Sequence, residues 1–407
     1  MDRDADILIV GGGLNGPALA LALAQAGFSV ALVDARPFGS RAEVGFDGRA
    51  YALSISSRRL LEAIGVWGAL RDQAQPILQI KASDGRAGAG ASPFHLNFDH
   101  AEIEEGPMGF MVEDRHLYAA FQAALSASGV VRISGEAVVA QDIGSVASVT
   151  LASGRRLAAR MLAGCDGRLS GVAARAGIRR QGWGYGQVAL VTALWHAGDH
   201  RGIAHQFFMP GGPLAILPLA GGQHSSIVWS EAEGLARQIA ALGDADFLAA
   251  LRPRFGGFLG DIALAGERFS YPLSLSLAEH WVADRLALVG DAAHGVHPLA
   301  GQGLNLGLRD VAALAEVLVE AARRGEDIGR LEVLQRYERW RRFDTTALAL
   351  GMDAINRLFS NDNPLLRAGR DLGMGLVGAV PGLRRGFIRQ AAGLSGAVPK
   401  LMRGERV

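Results

Sequence analysis

Two acidic residues each stand at the end of a short apolar run beside a cluster of glycines, and that pairing suits a ligand with phosphates and hydroxyls. The first is Asp34. Ile7 to Val10 reads as a strand, Gly11, Gly13 and Gly16 follow as GxGxxG with Leu14 and Asn15 among them, and Pro17 leads an alanine- and leucine-rich helix. Phe28 to Val33 is the next strand, and Asp34 ends it. In such a βαβ unit the first glycine permits a tight turn. The second lets backbone approach a pyrophosphate, and the third lets the helix pack on the strand. The pyrophosphate sits at the helix N-terminus. An acid roughly twenty residues further on can take both hydroxyls of an adenosine ribose. This segment alone leaves the dinucleotide open, a nicotinamide or a flavin cofactor.

The second acid is Asp291, in RLALVGDAAHGVHPLAGQGLNLGLR, Arg285 to Arg309. Leu286 to Val289 reads as a buried strand, Gly290-Asp291 as a turn, Pro298 as a loop break, and Gly301-Gln302-Gly303 as the lead into a helix. An aspartate there can accept hydrogen bonds from a polyol. Gly301 and Gly303 let backbone lie flat against a planar ligand. The helix continues with one apolar face through Leu304, Leu308, Val311, Ala315 and Leu318. Its free N–H groups and positive dipole end therefore face whatever lies over the glycines. A ring that becomes anionic on reduction fits that position; a glycine loop that only caps the helix is the plainer alternative. His294 and His297 sit beside this loop. Either can help deprotonate a phenol, since histidine titrates near neutrality; alternatively, they order the turn.

The elements that must carry these residues follow from the rest of the chain. The 407 residues, 49% hydrophobic, suit two or three structural units with a large core. A formal charge of +1 argues against a nucleic-acid binder. A single cysteine, Cys165, allows no internal disulfide and suits a reducing compartment. With one GxGxxG and no CxxC pair, a pyridine-nucleotide-disulfide reductase is excluded. The acidic MDRDAD start is unlike a secretory signal. Leu14 to Val33 is uncharged but broken by Asn15, Pro17, Gln25 and Gly27, so it is a helix and a strand rather than a membrane span.

Arg49 is expected in a loop just before a helix with Leu53, Leu60, Leu61 and Ile64 on its face, where it can reach phosphate or the flavin end. Arg115 is expected to start a helix next to Asp114 as its N-cap. Ala137 to Ala140, including Val138, reads as a strand, and Val149 to Leu151 with Leu157 to Ala159 as a hairpin around Ser153-Gly154. Cys165-Asp166-Gly167 ends another apolar strand, a second place for backbone to approach a cofactor. From Trp183 to Glu231, alternating runs read as an antiparallel sheet forming one wall of a substrate pocket. Leu331 to Leu358 reads as a helix with an exposed, charged ERWRRFD surface. From Pro364 onward eight basic residues face two acids among apolar ones, which suits either an anionic membrane surface or a tail docked on the protein.

The fold class expected is α/β. A Rossmann-like, discontinuous domain (1–75, 99–180 and 280–330) would carry an inserted antiparallel β-rich substrate domain (76–98 and 181–279) and a helical C-terminal region (331–407).

GGGLNG with Asp34, CDGRLSGVAAR and GDAAHGVHPLAGQGLNLG together resemble the group A aromatic flavin monooxygenases of the para-hydroxybenzoate hydroxylase fold. DGRAYALSISSRRLLEAIGVW, GPLAILPL and GLSGAVPKLMRGE narrow the resemblance to the UbiH/UbiF/VisC hydroxylases of ubiquinone biosynthesis. The resemblance implies FAD, with Gly11, Gly13, Leu14, Asn15, Gly16 and Asp34 at its ADP half. Arg49, Arg115, Val138 and Asp166 would also contact it. Gly290 and Asp291 would hold the ribitol, and Pro298, Gly301, Gln302, Gly303, Leu304 and Asn305 would face the isoalloxazine. The implied reaction is hydroxylation of a polyprenylated phenol or quinol through a flavin C4a-hydroperoxide. O2 would be the co-substrate, with NAD(P)H binding transiently or another donor reducing the flavin. A biosynthetic complex and peripheral contact with the inner membrane from the cytoplasm are further implications. An isoprenoid reductase and a non-catalytic flavoprotein scaffold share these motifs. A flavin halogenase is set aside because its WxWxIP signature is missing.

Overall fold

The computed structural model of the chain describes residues 3–41, 45–88, 90–296, 301–359 and 380–407. His297 and Pro298 lie outside the described residues, as do Arg367 and Arg370 of the tail.

Strands that are apolar on both faces need cover on both, which a parallel sheet flanked by helices provides. Ala5–Val10 is such a strand and lies at the centre of the first sheet. It pairs in parallel with Val30–Asp34 on one side and Arg156–Gly164 on the other. Val131–Ser134 extends the sheet beyond Val30–Asp34, and Leu286–Leu288 extends it beyond Arg156–Gly164, again in parallel. The carboxyl ends of these strands therefore share one edge. The order reverses on either side of Ala5–Val10, and such switch points leave a crevice for ligand. Helices Asn15–Gln25 and Gln302–Arg323 bury most of their residues in this core. The expected hairpin is present, Ala147–Leu151 against Arg156–Gly164.

The second sheet has nine strands and is antiparallel apart from one parallel pair, Ile203–Phe208 with Gln79–Arg86. Helices Glu233–Ala240 and Asp244–Phe255 cover one of its faces through Ala236, Ile239, Phe247, Leu251 and Phe255, packed with Trp229. The opposite face is left to form a wall.

A small third sheet, Ala50–Ser54 with Gly109–Glu113 and Gln75–Ile77, corrects two expectations. Arg49 does not precede a helix directly. Ala-Tyr-Ala-Leu-Ser alternates and forms the strand Ala50–Ser54, and the helix Ile55–Ala63 starts only after Ser54. Ser54 Oγ caps it by accepting from Ser57 N at 3.2 Å. Asp114 is not a cap either. It is the first residue of helix Asp114–Ser126, and Glu113 precedes it without a side-chain cap.

The C-terminal region contains Leu331–Phe359, Pro381–Ala391 and Lys400–Arg403. The ERWRRFD stretch is not uniformly exposed. Phe343 is open to solvent, yet Arg341 is completely buried. The tail is docked: Ile388, Ala392, Leu401 and Met402 are buried. Arg384 pairs with Glu102 at 2.7 Å, Arg389 with Glu105 at 2.8 Å, and Lys400 with Glu316 and Glu320. Among the described residues no helix is long and apolar enough to cross a membrane.

Candidate active site

A cavity of about 690 Å³ opens between the carboxyl edge of the parallel sheet and the bare face of the antiparallel one. Gly13, Leu14, Asn15, Asp291, Gly301, Gly303 and Leu304 all line it, so residues almost 300 positions apart meet there as expected.

The glycine cradle is tight for a reason visible in the backbone. Gly11 has φ +114, and a Cβ on it would lie 2.3 Å from Cys165 O. The strands Ala5–Val10 and Arg156–Gly164 can therefore separate at the switch point only with glycine there. A Cβ on Gly16 would lie 1.9 Å from Gly11 O, so helix Asn15–Gln25 starts hard against the turn. Asp34 joins this cradle through Gly12, whose N–H donates to Asp34 Oδ2 at 2.5 Å; Arg36 N donates to Oδ1 at 2.7 Å. A carboxylate held this way keeps lone pairs for a ribose.

Around Asp291 the turn is fixed from both sides. Gly290 has φ +63. Arg168 Nε lies 3.1 Å from Asp291 Oδ2, and Arg168 Nη2 donates to Val296 O at 3.2 Å. Arg180 donates to the Asp291 carbonyl at 3.0 Å and to the Ala292 carbonyl. Gly290 itself lies beneath Asn15: a Cβ there would meet Asn15 Nδ2 at 2.2 Å, and one on Gly307 would meet it at 2.3 Å. Asn15 Oδ1 is buried without a hydrogen-bond partner among the described residues, and it lies on the Gly307 side, where a Cβ would stand 2.7 Å away.

Helix Gln302–Arg323 begins at Gly301, in the left-handed conformation with φ +62, and has no side-chain cap. Its first N–H groups face the cavity, and open space lies where a Cβ on Gly303 would stand. Asn305 is used to build this corner. Its Oδ1 accepts from Ser54 N at 2.8 Å and Ser57 Oγ at 2.7 Å, while Nδ2 donates to the carbonyls of Ala52 and Gly301. A phosphate-sized cradle, a ribose acid, a second acid over a glycine turn and an uncapped helix end together fit a flavin dinucleotide.

Several other expected residues make local contacts within the chain. Arg49 binds Asp47, Nη2 to Oδ2 at 2.7 Å, and lies 3.7 Å from Asp114 with its guanidinium over Phe269. The hydrogen bond to Asp47 holds its pKa above the usual arginine value. Arg115 pairs with Glu113 at 2.7 Å. The Asp166 carboxylate accepts from Ser170 Oγ and Val172 N, the start of a short helix, while its neighbours Cys165 and Gly167 reach the cavity. Val138 opens a strand and packs on the core. Gln302 is the first residue of its helix.

His294 is turned away from the cavity. Its side chain is completely buried against Trp281, ring centroids 5.0 Å apart, and Nε2 lies 2.5 Å from Asp310 Oδ2. Asp310 also accepts from Gly290 N at 3.1 Å and from Arg341 Nε at 2.9 Å. Burial alone would raise the Asp310 pKa; His294, Arg341 and the Gly290 N–H reverse that and hold it below the usual carboxylate range.

The sequence pattern gave no sign of other cavity residues. Tyr51 lines it, kept protonated by burial with Asp114 and Tyr118 nearby. Arg168, Gln206, Phe387 and Ile388 line it as well. The Cys165 thiol is pushed up by burial, in keeping with a packing role.

Residues 4–348 match the FAD binding domain family. The ubiquinone hydroxylase UbiL of Rhodospirillum rubrum is 45% identical, over 99% of this chain and 94% of that protein. The 3-demethoxyubiquinol 3-hydroxylase of Escherichia coli is 36% identical, over 97% of this chain and 100% of that one. Among solved structures, the p-nitrophenol 4-monooxygenase PnpA of Pseudomonas putida superposes with a TM-score of 0.80 at 20% identity, covering 98% of this chain and 100% of that one, which speaks to fold. With Gly13, Asp291 and the uncapped helix end at one cavity, and Asp34 joined to the glycine turn through Gly12 without lining that cavity itself, the chain belongs to the FAD binding domain family, in the branch of FAD-dependent monooxygenases that contains the ubiquinone-biosynthesis hydroxylases.

Proposed function

We propose that this enzyme hydroxylates the aromatic ring of a polyprenylated phenol or quinol in ubiquinone biosynthesis, with FAD as cofactor and O2 as co-substrate. The carrying observation is a single cavity with a polar cradle at one end and a long apolar wall at the other. Ile80, Ala82, Phe208 and Leu217 of the antiparallel sheet supply that wall with Ile388 of the tail. Such a wall suits an isoprenoid chain.

Gly11, Gly13 and Gly16 would take the pyrophosphate and Asp34 the ribose. Asp291, braced by Arg168, would hold the ribitol, and the N-terminus of helix Gln302–Arg323 would lie at the ring. Bound FAD supplies the activation of dioxygen. The protein's own residues position the substrate, favour negative charge at the helix end and keep water out through the apolar wall. His294, locked on Asp310, orders the Gly290-Asp291 turn rather than acting on substrate. NAD(P)H binding transiently, or another donor, would reduce the flavin.

Contact with a lipid surface or a biosynthetic complex is supported by exposed apolar side chains of the C-terminal region, two of which, Ile355 and Phe387, also line the cavity. These are Ile355, Leu358, Val380, Leu383 and Phe387. The tail's charge contributes less than its composition suggests, because Arg384, Arg389 and Lys400 are paired with acids of this chain. Turnover of a polyprenylated phenol under isotopically labelled dioxygen tests the reading. One labelled oxygen atom in the product ring supports it; consumption of reductant with release of hydrogen peroxide alone, at every substrate tried, would sink it.

A further inference from the structure

Along strand Ile203–Phe208 the side chains alternate between two faces. His205 and Phe207 take the helix-covered face. The His205 ring lies 4.4 Å from that of Phe258, and Phe207 is buried in the cluster with Phe247 and Phe255. Ala204, Gln206 and Phe208 take the other face and line the cavity, which His205 also touches.

The register makes Gln206 an exception in its row. It stands opposite Ala82 on one neighbouring strand and Ala215 on the other, and Ala215 stands opposite Val228. All four line the cavity, and only Gln206 is polar. Its carboxamide is half-buried and has no hydrogen-bond partner among the described residues. Two other enclosed amides are fully engaged. Gln187 donates to Gly211 O and accepts from Asn356, and Asn305 makes four hydrogen bonds. An amide projecting from an apolar wall is unfavourable unless something in the cavity bonds to it. The flanking alanines leave room for a flat ring beside it.

We propose that Gln206 recognises the ring oxygen of the substrate, its carboxamide hydrogen-bonding a phenolic hydroxyl while the prenyl chain follows the apolar wall. This rests on the reading above and deepens it by naming what distinguishes an oxygenated ring from a plain prenylated arene. A site built to bond a hydroxyl discriminates strongly against the analogue lacking it, because its own polar group is then left unpaired.

The test uses the FAD-loaded full chain and two probes, 2-geranylphenol and geranylbenzene, titrated against the visible absorbance of the bound flavin. Gln206→Leu is expected to weaken the phenol about three- to tenfold, the worth of one neutral hydrogen bond, and to change geranylbenzene by less than about twofold. Where Gln206→Leu does not retain flavin, Gln206→Met takes its place. Equal loss for both probes, or no loss for the phenol, overturns the assignment while leaving the substrate class standing. Wild-type protein that holds FAD but binds neither probe overturns the substrate reading and this assignment with it.

Discussion

Asp310 and His294 form a completely buried pair, Nε2 to Oδ2, beneath the turn that carries Asp291. The other oxygen of Asp310 is taken by the equally buried Arg341. Helix Leu331–Phe359 is thereby tied to helix Gln302–Arg323 and to the cofactor turn through one carboxylate. Asp310→Asn removes the buried partner of Arg341, leaving only Asp344 at 3.7 Å, and should destabilise the fold by about 3 kcal/mol. Adding Arg341→Met should recover part of that loss. Urea denaturation of the two variants checks the order; a double variant no more stable than the single one would contradict it. Because the folded Asp310 pKa lies below its unfolded value, its contribution is fully present above the ordinary aspartate pKa, near 3.9. It is lost as pH falls below that value.

Asp291→Ala should lose flavin, because the carboxylate proposed to hold the ribitol and its Arg168 brace both go. The variant should purify with less yellow colour, and flavin titration of apoprotein should show affinity reduced at least about tenfold, the worth of a charge-assisted hydrogen bond. Full retention of flavin would count against the placement of the cofactor.

Gly16→Ala tests the cradle from the other end. The added methyl falls 1.9 Å from Gly11 O, where only backbone can yield. The helix must back away from the turn. The expected result is a folded protein with poor flavin retention, read by the ratio of visible to protein absorbance.

His205 supplies a pH-dependent prediction. Burial lowers its pKa from 6.5 to about 4, with Lys81 adding to the effect. Between those values the unfolded chain binds a proton that the folded chain refuses, so stability falls as pH drops from about 6.5 to about 4. His205→Phe keeps the ring against Phe258 and removes the proton site. The acid loss should then shrink by up to about 3 kcal/mol, measured as the difference in denaturation midpoints at the two ends of that window. Parallel curves for wild type and variant would refute it.

The tail is latched by Arg384 on Glu102, at 2.7–2.8 Å to both carboxylate oxygens. Arg384→Glu should raise KM for a prenylated phenol by loosening the helix that carries Phe387 and Ile388. Exchanging the pair, with Glu102→Arg as well, should restore it. The coupling expected for a partly exposed pair is about 0.5–1 kcal/mol. A double variant as impaired as the single one would deny the latch.

What the sequence made legible was mostly local. Gly11, Gly13, Gly16 and Asp34 are read from one βαβ unit, and the strand before Asp291 from an unbroken apolar run. The parallel core and the antiparallel wall follow from the two periodicities. Residues whose roles depend on distant partners were opaque. Arg341 lies in a stretch dense with charge, and nothing in ERWRRFD marks which arginine turns inward to meet Asp310. Gln206 was hidden because a polar residue in a strand ordinarily marks the wet face, and the neighbouring His205 blurs even that alternation.

Phe387 and Ile388 line the same compartment as Gly13 of the glycine turn. Translation proceeds from the amino end, so a growing polypeptide exposes its nucleotide-binding half long before the segment that shuts the chamber leaves the ribosome. Sealing the reaction space therefore follows synthesis of the nucleotide-binding half, because the residues that close it on this side come from helix Pro381–Ala391.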